Sequence, residues 1–271
     1  MTDGASDGVK VDLVVSDVDG TLVDGRKKLT DATIAAVKRL TDAGVGFTII
    51  SARPRSGMMP IAEALAVDAP MGAFNGGTIF TRDGRVLSQD HIDPAVVRGV
   101  FDLDCSGTDI WVFANDTWYA STDQGTHVAS ERITSDQAPV VMQDFAALYD
   151  RADKITFVSD DEDLLRGLAD QAKVFADRAT IAQSQTYYLD VTPRVGNKGD
   201  GIALLAEAME TPLEQIAAIG DQANDLPMFA RAGLSIAMGQ GPEAVRAKAD
   251  RVTGGNDTDG VAQAIDEVIL G

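Results

Sequence analysis

The sequence predicts an α/β protein whose parallel-sheet core is interrupted by an inserted α+β domain. Short β-branched apolar runs alternate with amphipathic helical stretches at the start of the chain and again near its end, the rhythm of a parallel sheet wrapped by helices. Between these segments the pattern changes to hairpins mixed with helices. A chain of 271 residues, 45% hydrophobic and 24% charged, also buries a sizeable core without staples.

The first segment opens with Val11-Asp12-Leu13-Val14-Val15-Ser16, a buried strand, and a loop from Asp17 to Gly25 rich in Asp and Gly. Thr30 is a helix cap ahead of Ile34, Val37 and Leu40, and Gly44 supplies the stop. Val45 to Ile50 reads as a second strand of the parallel sheet, Ser56 to Leu65 as a helix and Met71 to Asn75 as a third strand. Asp83-Gly84, between Thr78–Phe80 and Arg85–Ser88, predicts a hairpin; Asn115-Asp116 predicts a second, between Trp111–Ala114 and Thr117–Ala120. Helices are expected around 94–101 and 161–173, with strands at 155–158, 180–182 and 187–191. The parallel pattern resumes with a helix from Lys198 to Met209. Thr211-Pro212-Leu213-Glu214 then combines a cap, proline at the first position and glutamate at the third, and reads as a capping box. Strands at 216–219, 234–237 and 251–253 alternate with helices, and 261–269 closes the chain. The expected division is a core of residues 1–82 and 193–271 and an insertion of residues 83–192.

Composition excludes several classes. The formal net charge is −19, which argues against nucleic acid and anionic membrane as partners. No apolar run is long enough to span a bilayer. Met1 to Lys10 lacks the basic start and apolar middle of a secretory leader, so a soluble cytoplasmic protein is expected. Cys105 is the single cysteine and cannot form an internal disulfide.

Three polar clusters follow the carboxyl ends of predicted parallel strands: Asp17 with Asp19, Ser51, and Asp221 with Asp225. In open α/β sheets that edge binds ligands. Asp, Ser and Gly are also common turn formers, and one such cluster alone would mean little. Four carboxylates converging on one edge repel unless a cation compensates them, and hard oxygen ligands with open positions suit magnesium.

These residues have a family resemblance. Asp17-Val18-Asp19-Gly20-Thr21-Leu22 resembles the first motif of the haloacid dehalogenase-like phosphohydrolases. Ser51 resembles the second motif, Lys198 the third, and Gly220-Asp221-Gln222-Ala223-Asn224-Asp225 the fourth, in the family's order. An insertion entered through Phe74-Asn75-Gly76-Gly77 is similar to the Cof-type subfamily with an α/β cap. Ser51-Ala52-Arg53 stands where Thr-Gly-Arg is commoner and Gly77 where alanine is usual; neither departure removes a functional group.

The resemblance implies a Rossmann-like core, an inserted cap domain, and a magnesium-dependent phosphatase of small phosphorylated metabolites, sugar phosphates foremost. Asp17 would be the nucleophile that forms an aspartyl-phosphate. Asp19 would be general acid and then base, and would bind magnesium through its main-chain carbonyl. Ser51 and Lys198 would hold the phosphoryl oxygens, with Ala52, Asn75 and Arg53 near the substrate. Asp221, together with Asp17, would bind the metal directly, Asp225 would support it from behind, and Asn224 would donate to phosphate or fix a ligand. Gly20 would let the backbone approach closely.

Outside the motifs the plainer readings hold. A lone lysine is more often solvated, and only its motif context lifts Lys198 above that reading, whereas Arg26-Lys27-Lys28 reads as a solvated loop. Arg53 and Arg55 have surface ion pairing as an equal alternative. His91 and His127 read as structural or exposed, and Trp111, Trp118, Tyr119, Tyr187 and Tyr188 as mostly core, with room for one or two to stack on a substrate ring. Two alternatives to a phosphatase stay open. A phosphomutase uses the same aspartyl chemistry. A non-enzymatic phospho-acceptor module also sets acidic groups at strand ends, but is about half this length and lacks a counterpart of Asp19. A nucleotide-binding module is weaker, because neither Walker-type nor dinucleotide glycine loops occur.

Overall fold

The computed structural model describes residues 10–271, so the stretch before Lys10, where no leader was expected, lies outside the described residues. The fold is mixed α/β, and the chain divides into two compact units. One comprises the chain up to Ile49 together with Ile202–Gly271, the other Ile50–Gly201. The expected insertion, residues 83–192, falls inside the second unit.

In chain order the elements begin with β1 (Leu13–Ser16), α1 (Asp31–Asp42), β2 (Gly46–Ile49), α2 (Arg55–Ala64), β3 (Met71–Ala73), β4 (Thr78–Phe80) and β5 (Val86–Gln89). There follow α3 (Pro94–Phe101), β6 (Asp109–Ala114), β7 (Thr117–Ala120), α4 (Val128–Ser135), β8 (Val140–Val141), β9 (Ala152–Val158) and α5 (Glu162–Ala172). Then come β10 (Ala179–Gln185), β11 (Tyr188–Pro193), α6 (Lys198–Ala208), β12 (Ile216–Gly220) and α7 (Leu226–Phe229). Last are β13 (Leu234–Ala237), α8 (Glu243–Arg246), β14 (Arg251–Val252) and α9 (Gly260–Gln263).

The first unit is built on a parallel sheet, ordered β14-β13-β12-β1-β2 among the described residues. β1 lies at its inside, buried at every position, which explains why its sequence is an unbroken apolar run rather than an alternating one. Thr30 caps α1 as expected, its Oγ1 accepting from the Thr33 N–H at 3.2 Å, and Gly44 follows the helix at φ +86°. Thr33, Ala36, Val37 and Leu40 form the buried face of α1.

The second unit holds an antiparallel hairpin sheet, β3-β4-β5, and a larger sheet ordered β10-β11-β9-β6-β7-β8. Both predicted hairpins form. Asn115 and Asp116 occupy the left-handed region at φ 52° and 63°, as a tight turn between β6 and β7 requires. One face of the larger sheet is covered by α3 and α5, and Val97, Val112, Ile155, Phe157, Leu165 and Leu189 belong to the core between them.

Two expectations are corrected, and one helix is added. Met71–Asn75 is not a strand of the parallel sheet: β3 pairs antiparallel with β4, and a single parallel bridge joins Ile50 to Gly72. Thr211-Pro212-Leu213-Glu214 starts no α-helix. Only a 3-10 turn, Leu213–Gln215, fits before β12 begins at Ile216, and the Thr211 hydroxyl donates to the Met209 carbonyl instead of capping. Helix α4 was not expected, because its sequence VASERITS has no sustained apolar period.

Two glycines give opposite predictions. A Cβ on Gly57 of α2 would sit 1.9 Å from the Thr134 carbonyl oxygen of α4, so Gly57→Ala should destabilise by about 1–3 kcal/mol through overpacking. Gly167, exposed inside α5, has open space around it, and Gly167→Ala should stabilise by about 0.5–1 kcal/mol. Urea unfolding of both variants checks the signs.

Candidate active site

β1 and β12 are parallel neighbours, so the residues that follow them leave the sheet at the same edge. Asp17 is the first residue beyond β1, and its N–H donates to the Ile219 carbonyl at 2.9 Å, extending the ladder to the point where the side chain turns out. Asp221 follows β12 directly. Asp17, Asp221 and Asp225 are 5%, 4% and 0% exposed. Each offers one carboxylate oxygen within 4.8 Å of those of the others.

The local sequence explains how the oxygens are aimed. Asp225 Oδ2 accepts from the N–H groups of Asp221 and Gln222, both at 2.8 Å, which pins the turn carrying Asp221. Asp221 Oδ1 accepts from the Thr21 hydroxyl at 3.2 Å, and its Oδ2 from Gln222 Nε2 at 3.1 Å. Gly20, at φ +83°, lies against this carboxylate; a Cβ there would come within 2.5 Å of Asp221 Oδ2. Both its conformation and its contact demand glycine. Gln240 Nε2 donates to the Gly20 carbonyl at 2.6 Å and fixes the orientation of that peptide.

The carboxylate of Asp19 is not one of the three. Its Oδ1 pairs with Lys27 Nζ at 2.8 Å, and Lys27 itself is at φ +62°. The reading of Arg26-Lys27-Lys28 as a merely solvated loop is therefore corrected for Lys27. Asn224 lies half-buried in the 3-10 turn Ala223–Asp225. Thr21, Gln222, Gln240 and Lys27 were missed as site residues; Thr21 and Gln222 stood inside the quoted motifs, whereas nothing in the sequence singles out Gln240.

The second unit gathers most of the remaining expected residues. Ser51 is buried, its N–H donates to the Gly72 carbonyl at 2.9 Å, and its own carbonyl accepts from the Asn75 N–H at 2.7 Å. Ser51 Oγ accepts from the Arg53 N–H at 3.2 Å. Phe74 and Asn75 both have positive φ, and Asn75 Oδ1 is buried without a hydrogen-bond partner. Lys198, the first residue of α6, is 1% exposed, so the solvated reading fails. A glycine pair sets its place: a Cβ on Gly76 would lie 2.3 Å from Gly201 Cα, and one on Gly201 would lie 3.0 Å from the Asn75 carbonyl. Without side chains at either position, the first turn of α6 packs directly on the Asn75 turn.

The two arginines point inward to their own surroundings. Arg53 is buried and donates through Nη1 to the Gly57 carbonyl at 3.1 Å, while Arg55 Nε lies 3.8 Å from Asp116 Oδ1. Burial raises the Asp116 carboxyl above its ordinary range, and Arg55 opposes that rise. His91 and His127 are structural, bonded to Asp153 and Asp160 at 3.0 and 2.7 Å. Trp111 and Trp118 are buried and meet edge-on, as expected, while Tyr188, edge-on to Trp111, is half-buried.

The carboxylate group fits a hard divalent cation. Three buried carboxylates this close repel one another unless a cation compensates them, and few protein oxygens with room for water and phosphate suit magnesium. Asp221 could then hold such a cation directly, with Asp225, whose Oδ2 accepts from two backbone N–H groups, supporting the turn behind it. Asp221→Asn should therefore abolish the magnesium-dependent rise in melting temperature. Gly20→Ala should weaken it at least about 10-fold in magnesium concentration, by displacing the Asp221 carboxylate. A magnesium titration followed by thermal melting checks both, and an unchanged midpoint in Asp221→Asn would contradict the assignment.

Comparison with known proteins agrees with the geometry. The model of the haloacid dehalogenase-like hydrolase family matches residues 14–265. The pyridoxal phosphate phosphatase of Escherichia coli is 26% identical over 271 residues, covering 93% of this chain and 97% of that protein. A 5-amino-6-(5-phospho-D-ribitylamino)uracil phosphatase of Bacillus subtilis is 25% identical over 263 residues, covering 97% of each. Among solved structures, a haloacid dehalogenase-like hydrolase from Bacteroides thetaiotaomicron is similar with a TM-score of 0.84 and 26% identity, over 96% of this chain and 100% of that one.

Proposed function

The chain belongs to the haloacid dehalogenase-like hydrolases and is an enzyme, and from that premise we propose that it is a magnesium-dependent phosphatase of small phosphorylated metabolites, with sugar phosphates as the class. The observation that carries this reading is the buried convergence of Asp17, Asp221 and Asp225 beyond β1 and β12. Two relatives with full-length coverage are named for phosphate monoesters of small molecules, which supports the substrate size. The proposed setting is cytoplasmic, without a nucleic-acid partner. Among the described residues no helix is long and apolar enough to cross a membrane.

In the proposed reaction a carboxylate oxygen of Asp17 attacks phosphorus in line with the ester oxygen. The Asp17–phosphorus bond forms as the bond to the leaving oxygen breaks. Asp19 gives its proton to that oxygen, so the alcohol departs neutral. It then takes a proton from the water that attacks the aspartyl-phosphate, and inorganic phosphate leaves with Asp17 regenerated. Lys27, bonded to Asp19 Oδ1, holds that carboxylate in place. Ser51 and Lys198 are proposed to bind the phosphoryl oxygens, where the lysine charge offsets the negative charge of the transition state. Asp17, Asp221 and the Asp19 carbonyl would hold a magnesium ion, which would supply positive charge against the phosphoryl oxygens that otherwise repel an attacking carboxylate. Residues 83–192 are proposed as the cap that meets the alcohol portion and excludes water.

Hydrolysis of p-nitrophenyl phosphate should stop in EDTA and return with magnesium. Asp17→Asn should remain folded and lose at least ~10³-fold in rate, and Asp19→Asn on the order of 10²–10⁴. Mass spectrometry after brief exposure to substrate should place trapped phosphate on Asp17. Phosphate on Ser51 or a histidine, or full turnover in chelator, would refute the mechanism.

A further inference from the structure

The larger sheet of the second unit has two unlike faces. Val112, Ile155, Phe157, Leu189 and Val191 point into the core under α3 and α5. The alternate residues, Trp111, Phe113, Lys154, Thr156 and Asp190, point the other way, because side chains alternate along a strand. The register sets them side by side: Phe113 opposite Lys154, Trp111 opposite Thr156, and Thr156 opposite Asp190.

That second face buries a charged pair among aromatic rings. Lys154 and Asp190 are 7% and 3% exposed. Lys154 Nζ lies 3.8 Å from Asp190 Oδ1 and 5.1 Å from the centre of the Phe113 ring. The Thr156 hydroxyl donates to Asp190 Oδ1 at 2.7 Å. Asp190 Oδ2 has no hydrogen-bond partner. A buried ion pair with one carboxylate oxygen unused is costly, and apolar residues of similar volume would hold a sheet face at least as well. An orphaned buried acceptor of this kind needs an explanation. Lys154 supplies it through a second contact: its Nζ is 3.5 Å from the carbonyl of Ala52, the residue next to Ser51.

We propose that Lys154 and Asp190 are the recognition pair for the alcohol portion of the substrate. The inference rests on the phosphoryl-binding role given to Ser51 above. A phosphoryl group held at Ser51 brings its ester-linked alcohol alongside Lys154. Asp190 Oδ2 then accepts a hydrogen bond from a free hydroxyl of that alcohol, and Lys154 donates to a neighbouring oxygen. Adjacent acceptor and donor of this kind fit a polyhydroxylated alcohol, a sugar or polyol phosphate, and give no specific contact to an aryl ester without hydroxyls. An alcohol that reaches the pair without a donor leaves Asp190 Oδ2 orphaned, which is how a polar site rejects a deoxy analogue.

The test compares kcat/KM for a panel of hexose and pentose phosphates, their monodeoxy analogues, and p-nitrophenyl phosphate. Asp190→Asn keeps the shape and the Thr156 bond but puts a donor where the acceptor was. It should lower the ratio of sugar-phosphate to aryl-phosphate kcat/KM at least about 10-fold, with melting temperature reported alongside. Lys154→Met should lower the same ratio. In the wild-type protein, removing one particular hydroxyl should cost at least about 10-fold, and the Asp190→Asn variant should no longer sense that removal. The proposal is overturned if both variants keep the wild-type ratio, or if every deoxy analogue stays within about 3-fold of its parent, which needs no variant to fold. Turnover of p-nitrophenyl phosphate with no hydroxyl dependence sinks this inference alone; a wild-type protein that hydrolyses neither class sinks the phosphatase reading with it.

Discussion

Three buried carboxylates that would repel one another are held together, and the architecture of the first unit follows from that constraint. Asp17, Asp221 and Asp225 lie with oxygens within 4.8 Å, where solvent screens little. Parallel pairing of β1 with β12 fixes the spacing of the two chain exits, and the Asp17 N–H bond to Ile219 carries the ladder one residue further. Asp225 spends an oxygen on the N–H groups of Asp221 and Gln222, so part of its charge is absorbed by the backbone it orients. Gly20 and Gly220 leave no Cβ to push these carboxylates apart. A divalent cation would complete the balance, and its charge would let a protein of net charge −19 receive a phosphate ester.

The second unit solves a different problem by similar means. Its buried lysine, Lys198, heads a helix that approaches the Asn75 turn only because Gly76 and Gly201 meet without side chains. Ser51 is tied by main-chain bonds to Gly72 and Asn75, so its hydroxyl position is set by backbone rather than by rotamer choice alone. In both units the candidate residues sit on loops or at a helix start, while the neighbouring strands and glycines restrict where those segments can go.

What the sequence revealed was the structure that is local in the chain. Asp17 to Leu22 and Gly220 to Asp225 each carry their own turn geometry, glycine and carboxylate, so a reader sees the whole device in six residues. Thr30, Asp83-Gly84 and Asn115-Asp116 were legible for the same reason: a cap or a tight turn is decided by its own residues. Features decided by distant partners were not. Nothing in Met71–Ala73 says that β4 will take its edge, and Thr211-Pro212 carries every mark of a helix start except room for a helix before β12. Lys27 looks like part of a solvated basic run until the chain folds it onto Asp19, and Lys154 and Asp190 stand 36 positions apart by number until β9 and β11 pair.

Asp17 is proposed as a covalent nucleophile in a metal-charged site, which means two successive in-line displacements at phosphorus, each inverting its configuration. The direct measurement is the stereochemical course of hydrolysis of an isotopically chiral phosphorothioate ester in water of the third oxygen isotope, with magnesium present. Two displacements predict thiophosphate with net retention of configuration. Net inversion would mean that water attacks the substrate directly and would contradict the central role of Asp17.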